Sequence, residues 1–191
     1  MKTEKISNKR GHAPKKTIVL VGIMGAGKST VGKILADRLG MHFIDADHEI
    51  ERAAGCTITD FFEKYGEVEF RKGEERVISR ILAGEPCVLA TGGGAFMSEA
   101  TRLLIKKIAT SVWLRVSFEV LEKRLEKRSD RPLLQTADPQ QTLKALIKKR
   151  YPIYNDADFI VDAENDGVDI TVSKVVECLG DYCYSERSVE S

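Results

Sequence analysis

Five short apolar runs rich in β-branched residues recur along the chain: TIVLV from residue 17, HFID from 42, CVLAT from 87, SVWLRV from 111 and DFIVD from 158. Each is shorter than a helix and ends in polar or glycine-rich residues, which is the pattern of a buried strand. Longer stretches of helical period lie between them. After the first strand, for example, Val31, Ile34, Leu35 and Leu39 share one helical face. Ser98, Ser117 and Asp138 are placed as helix N-caps, the last with Pro139 at the first helical position. Strands alternating with helices require crossover connections. The predicted fold is therefore α/β, a three-layer arrangement of a five-stranded parallel sheet with helices on both faces. Ligands of such sheets bind outside the carboxyl ends of the strands, so the residues just after each strand are the ones to read for chemistry.

The pattern fades at both ends. Residues 1–16 are basic and polar, and residues 181–191 (DYCYSERSVES) show no buried face, so both are expected as flexible tails around a single domain at 17–180. A chain of 191 residues fits one core, and no internal repeat or low-complexity segment divides it. Lys and Arg number 30 against 29 Asp and Glu, a net charge of +1. That balance gives no overall field for nucleic acid or an anionic membrane, and any anion site must be local. No apolar run approaches the roughly 18 residues of a membrane span. Cys56, Cys87, Cys178 and Cys183 lack C-x-x-C spacing and read as reduced thiols, which sets the expected location as cytoplasmic.

The first strand runs into GIMGAGKST, where Gly22, Gly27, Lys28 and Ser29 fit G-x-x-x-x-G-K-[ST], the P-loop. A strand before and an amphipathic helix after supply the context the motif requires. Glycines let successive backbone N–H groups face a polyphosphate, the lysine adds charge at its far end, and the hydroxyl suits Mg²⁺. Gly25, Ala26, Gly27, Lys28, Ser29 and Thr30 are therefore the candidate ATP-binding loop, with Ser29 a candidate magnesium ligand. A GTP-binding switch protein would be expected to carry N-K-x-D, which is absent.

The second strand ends in Asp45-Ala46-Asp47, whose two carboxylates share a face if the strand persists. One could serve a metal and the other a substrate hydroxyl; equally, Asp47 could cap the helix that follows. The third strand ends in Gly92-Gly93-Gly94, which leaves backbone groups open to a closely approaching ligand.

GIMGAGKS, FIDAD, EFRKGEE, TGGG after a strand, RSDRPLL and KKRYPIY stand in the order and spacing of shikimate kinases, which the chain resembles over roughly residues 17–162. The P-loop is shared with many NTPases, whereas the combination of the other motifs is specific. The resemblance implies transfer of the γ-phosphoryl group of ATP to the 3-hydroxyl of shikimate, a step towards chorismate and the aromatic amino acids. It implies that Arg71 and Arg150 hold the acceptor carboxylate, that Asp47 holds its hydroxyls, and that Gly93 gives a backbone contact. Glu74 would orient Arg71 as an i,i+3 partner, and Ile58, Phe62 and Phe70 match positions lining the acceptor pocket, within an acceptor-binding region at about 46–75.

By the same resemblance, residues from about 126 to 138 form a mobile lid, with Arg131 reaching the transferring phosphoryl group and Arg124 stacking on adenine. Lys28, Asp47 and Arg131 are the implied catalytic set, and Asp45 the implied metal contact through water. The family suggests a monomer whose only ligands are small molecules. Gluconate-type and nucleoside-monophosphate kinases, which share a P-loop and a lid, are the alternative within the class. One departure concerns the adenine side: where many relatives carry a basic, proline-containing loop after the last strand, this chain has VDAENDGVD.

Overall fold

The computed structural model describes residues 16–126, 138–165 and 167–185. Strands β1 (Thr17–Val21), β2 (His42–Asp45), β3 (Cys87–Ala90), β4 (Ala109–Arg115) and β5 (Phe159–Asp162) form one sheet in the order β2-β3-β1-β4-β5. All four pairings are parallel. All five positions of β1 and all four of β3 are buried. Alternate side chains point to opposite faces, so both faces are covered, which is why these strands read as continuous apolar runs. The helices doing this are α1 (Lys28–Leu39), α3 (Ile58–Leu82), α4 (Glu99–Ile108) and α7 (Val168–Ser185), with α1 packed on α7 and α3 on α4. Short helices α2 (Ala46–Ala54) and α5 (Phe118–Leu125), and the longer α6 (Pro139–Tyr154), complete the fold.

The chain reaches β2 and β3 on one side of β1, then β4 and β5 on the other. Strand order therefore reverses at β1, and a crevice opens at its carboxyl end. This is where the P-loop begins.

Two boundaries depart from the periodicity. Helix α3 is broken at Gly66, whose φ of 78° and ψ of 174° are open to glycine and costly for other residues. The break separates an arm that starts at Ile58 from the buried half containing Phe70 and Glu74. Helix α7 continues to Ser185, into the segment expected as a tail. Val172, Val175, Val176 and Leu179 carry helical spacing up to the edge of that segment. Residues 1–15, 186–191 and 127–137, the last holding Arg131 and nearly all of the expected lid, lie outside the described residues. No helix among the described residues is long and apolar enough to cross a membrane.

Candidate active site

The carboxyl end of β1 turns through Gly22–Gly27 into α1, and Gly27 takes the N-cap with φ 91° and no side-chain cap. The first-turn amides of α1 are thus left facing outward at the positive end of the helix, where an anion is the natural partner. Lys28 is buried, and its Nζ donates to the carbonyls of Gly22 at 2.8 Å and Ile23 at 3.0 Å. A cleft of about 470 Å³ opens above the loop, lined by Gly25 to Thr30 together with Asp45, Asp47, Gly93 and Arg124. Every expected phosphate-side residue among the described ones lines this single cleft.

Asp45, not Asp47, caps α2: its Oδ1 accepts from the Asp47 N–H at 3.1 Å. Its Oδ2 accepts from Ser29 Oγ at 2.7 Å. One carboxylate thus joins the end of β2 to the start of α1, and Asp47 is released from capping. A hydroxyl and a carboxylate oxygen meeting beside a phosphate-type loop fit Mg²⁺, which takes few protein oxygens and completes its shell with phosphate and water. No group of three or more metal-type acidic, His or Cys side chains occurs among the described residues.

The acceptor-side residues come from four segments and converge on the glycine run. A Cβ at Gly94 would lie 2.4 Å from both Arg71 Nη atoms, and one at Gly92 would lie 2.7 Å from Asp47 Oδ1 and 2.9 Å from Glu74 Oε1. Only glycine allows this approach. Arg150, 7% exposed, donates from Nη1 to the Gly93 carbonyl at 2.9 Å. Arg71 is gripped by Glu74 at 2.6 Å and by Glu67 at 3.3 Å, and its guanidinium sits 5.1 Å from the Phe70 ring. Asp47, Arg71, Gly93 and Arg150 are thereby brought together, two guanidinium groups and one carboxylate around an open backbone.

Burial defines the electrostatics of this cluster. Glu74 is 2% exposed, and its Oε1 has no hydrogen-bond partner among the described residues. Burial raises the Glu74 carboxyl above its ordinary range, with Arg71 pulling in the opposite direction. Phe62 packs on Phe70 at 4.4 Å between ring centroids, and Phe70 and half-buried Ile58 belong to the hydrophobic core or pack against it.

Two contributors were not evident from the sequence. Tyr154 is wholly buried and donates its hydroxyl to the same Gly93 carbonyl that Arg150 uses. Burial pushes its phenol up to about 12, so it remains a donor at neutral pH. Its place within KKRYPIY, one turn beyond Arg150, was the available signal. The other is Glu164, just past β5, whose carboxylate accepts from the Ser117 N–H at 3.1 Å and from Ser117 Oγ at 2.9 Å. Ser117 does sit at the N-cap of α5, but its hydroxyl is committed to Glu164 and makes no cap. Arg124 lies at this end of the cleft, its Nη2 donating to the carbonyls of Ala163 at 3.1 Å and Glu164 at 2.7 Å.

A family model described as shikimate kinase matches residues 24–180. A shikimate kinase of Paramagnetospirillum magneticum is 51% identical over 174 residues, covering 91% of this chain and 89% of that relative. One from Bradyrhizobium diazoefficiens is 49% identical over 175 residues, covering 92% and 84% respectively. Among solved structures, the shikimate kinase from Acinetobacter baumannii in complex with shikimate superposes with a TM-score of 0.81 at 41% identity, covering 87% of this chain and 94% of that one.

Proposed function

The chain belongs to the shikimate kinase family, and from that premise we propose that its cleft transfers the γ-phosphoryl group of ATP to the 3-hydroxyl of shikimate, yielding shikimate 3-phosphate and ADP. The observation that carries the reading is the convergence of Asp47, Arg71 and Arg150 on Gly92–Gly94, with Asp47 and Gly93 also lining the P-loop cleft. Shikimate is a carboxylate bearing ring hydroxyls. Two planar guanidinium forks suit its carboxylate, and one protein carboxylate suits its hydroxyls.

The placement supports the following roles. The amides of Gly25, Ala26, Gly27 and Thr30 cradle the triphosphate, and Lys28 adds positive charge where negative charge accumulates on the transferring group. Ser29 and Asp45 would hold Mg²⁺, Asp45 through water, and the ion would neutralise phosphate charge. Asp47 aligns the 3-hydroxyl, so that the new P–O bond forms in line as the bridging P–O bond to the β-phosphate breaks. Arg71 and Arg150 fix the acceptor by its carboxylate, Glu74 holds Arg71 in place, and Gly93 adds a backbone contact. Arg124 lies along the base. Arg131 and nearly all of the expected lid at about 126–138 lie outside the described residues; the family resemblance gives Arg131 the remaining charge on the phosphoryl group and lid closure the exclusion of water.

The family resemblance suggests a monomer. The free thiols of Cys56, Cys87 and Cys178 support a reducing compartment, the cytoplasm. The deciding experiment is ADP release with ATP and Mg²⁺ against shikimate, gluconate and nucleoside monophosphates. Shikimate alone should support turnover well above the rate with no acceptor. Preferential turnover of gluconate or a nucleotide would replace the reading.

A further inference from the structure

The loop after β5 is acidic, and the carboxylates of Asp162 and Glu164 are both engaged by residues of β4 and the turn that follows it. Along β4 and β5 the register is offset by a constant 47 residues, Leu114 opposite Val161 and Arg115 opposite Asp162. Three acids follow that offset with side-chain bonds. Asp158 accepts from Ser111 N and Oγ at 2.8 and 2.7 Å, and Asp162 accepts from Arg115 Nε and Nη2 at 2.6 and 2.9 Å. Glu164 accepts from Ser117 N and Oγ at 3.1 and 2.9 Å.

The first two pairs zip the edge strand onto its neighbour. The third lies beyond the end of the ladder, where Glu164 lines the cleft. Its carboxylate is turned to the N-terminus of α5, a favourable place for negative charge. The same short segment is gripped by its backbone: Arg124 Nη2 bonds the Ala163 and Glu164 carbonyls, and Arg124 Nη1 reaches the Gly25 carbonyl of the P-loop at 3.4 Å. With both bonds to the segment in place, the guanidinium plane of Arg124 is fixed relative to the loop that holds the phosphates.

We propose that Glu164 is a positioning residue for the nucleoside end of ATP: by clasping Ser117 it holds residues 163–165 as one wall of the base pocket and orients Arg124 through the segment's carbonyls. The clasp takes the place of a proline-stiffened loop, which this chain lacks after β5. The proposal rests on ATP occupying the P-loop cleft as described above. Removal of the clasp leaves the sheet zipped by the other two pairs, so the loss falls on the cleft wall.

The test is isothermal titration of ADP with Mg²⁺ into the full chain, because ADP binding involves no acceptor, alongside the shikimate KM. Glu164→Ala should weaken ADP binding about 10-fold, the effect of losing a charge-assisted hydrogen-bond pair. The shikimate KM should stay within about twofold, as it depends on the opposite end of the cleft. Glu164→Gln, whose amide can accept from the Ser117 N–H and donate to its hydroxyl, should recover most of the ADP affinity. Arg115→Ala, which opens the neighbouring pair, should lower Tm and leave ADP binding unchanged. ADP affinity unaltered in Glu164→Ala, or weakened as much by Arg115→Ala, would overturn the proposal. Should the predicted ADP pattern appear in a protein that does not turn over shikimate, the clasp stands and the acceptor reading falls.

Discussion

The two ends of the cleft are built on different principles. At the phosphate end the groups come from one contiguous stretch, Gly22 to Thr30, and most are backbone; even its lysine is held by two carbonyls of the same loop. At the acceptor end they come from positions 47, 71, 92–94 and 150, and half are charged side chains brought together from three separate elements, Arg71 held by two carboxylates and Arg150 by a backbone carbonyl. A backbone cradle recognises any polyphosphate, which is why the P-loop alone says little about the acceptor. A cluster of side chains with fixed forks recognises one pattern of charge and hydroxyls. The ends should therefore fail separately when altered.

The largest effect is expected from Lys28→Ala. Removing a donor that acts on developing charge costs on the order of 3 kcal/mol, or about 10²- to 10³-fold in kcat. Tm should fall modestly as well, because the Gly22 and Ile23 carbonyls lose a donor in a buried setting. Turnover within tenfold of the parent would remove Lys28 from the chemistry.

Gly94→Ala comes next and acts on the other end. Gly94 has φ −101° and ψ −16°, which alanine adopts without strain, so the only cost is the meeting of its Cβ with the Arg71 guanidinium. Arg71, being the far end of a long side chain, should yield and lose its alignment with Glu74. Shikimate KM should rise about 10- to 150-fold, corresponding to a lost charge-assisted bond of about 1.5–3 kcal/mol, with little change in Tm or in ADP affinity. A parallel loss of ADP affinity would show that the two ends are coupled.

The smallest effect lies outside both ends. The Arg115–Asp162 pair is about half exposed, so Arg115→Ala should cost only about 0.2–1 kcal/mol at pH 7. Hydrogen bonding to Arg115 holds the Asp162 carboxyl below its ordinary value. A depressed folded-state pKa stabilises the fold above the carboxylate range and stops doing so as the acid protonates. The stability gap between parent and variant should therefore close as pH falls below about 4, by urea titration across pH.

What could be read in advance follows the same division. The five strands and the P-loop are local patterns, and all were placed to within a few residues. Asp47 is marked by its place at a strand end near the P-loop, but Arg71 and Arg150 carry no signal of their own: Arg71 stands among Glu67, Glu69, Glu74 and Glu75 like any surface arginine. The i,i+3 spacing pointed to Glu74 as its partner, and the fold adds that Glu67 binds it too while Glu69 turns to Lys72. The capping role of Asp45 over Asp47 depends on where β2 stops, which periodicity does not resolve. The break at Gly66 is silent because apolar spacing resumes after it. The pairing of Ser117 with Glu164 depends on a strand register, and a register is invisible until two strands are known to be neighbours.

The most direct test of a separately built acceptor end is isothermal titration of shikimate and of ADP with Mg²⁺ into the parent and Arg71→Lys. Lysine keeps the charge but cannot reproduce the planar fork held by Glu74 and Glu67. Shikimate affinity should fall about 10- to 150-fold, with ADP affinity within about twofold of the parent. Shikimate bound as tightly by the variant as by the parent would contradict the account.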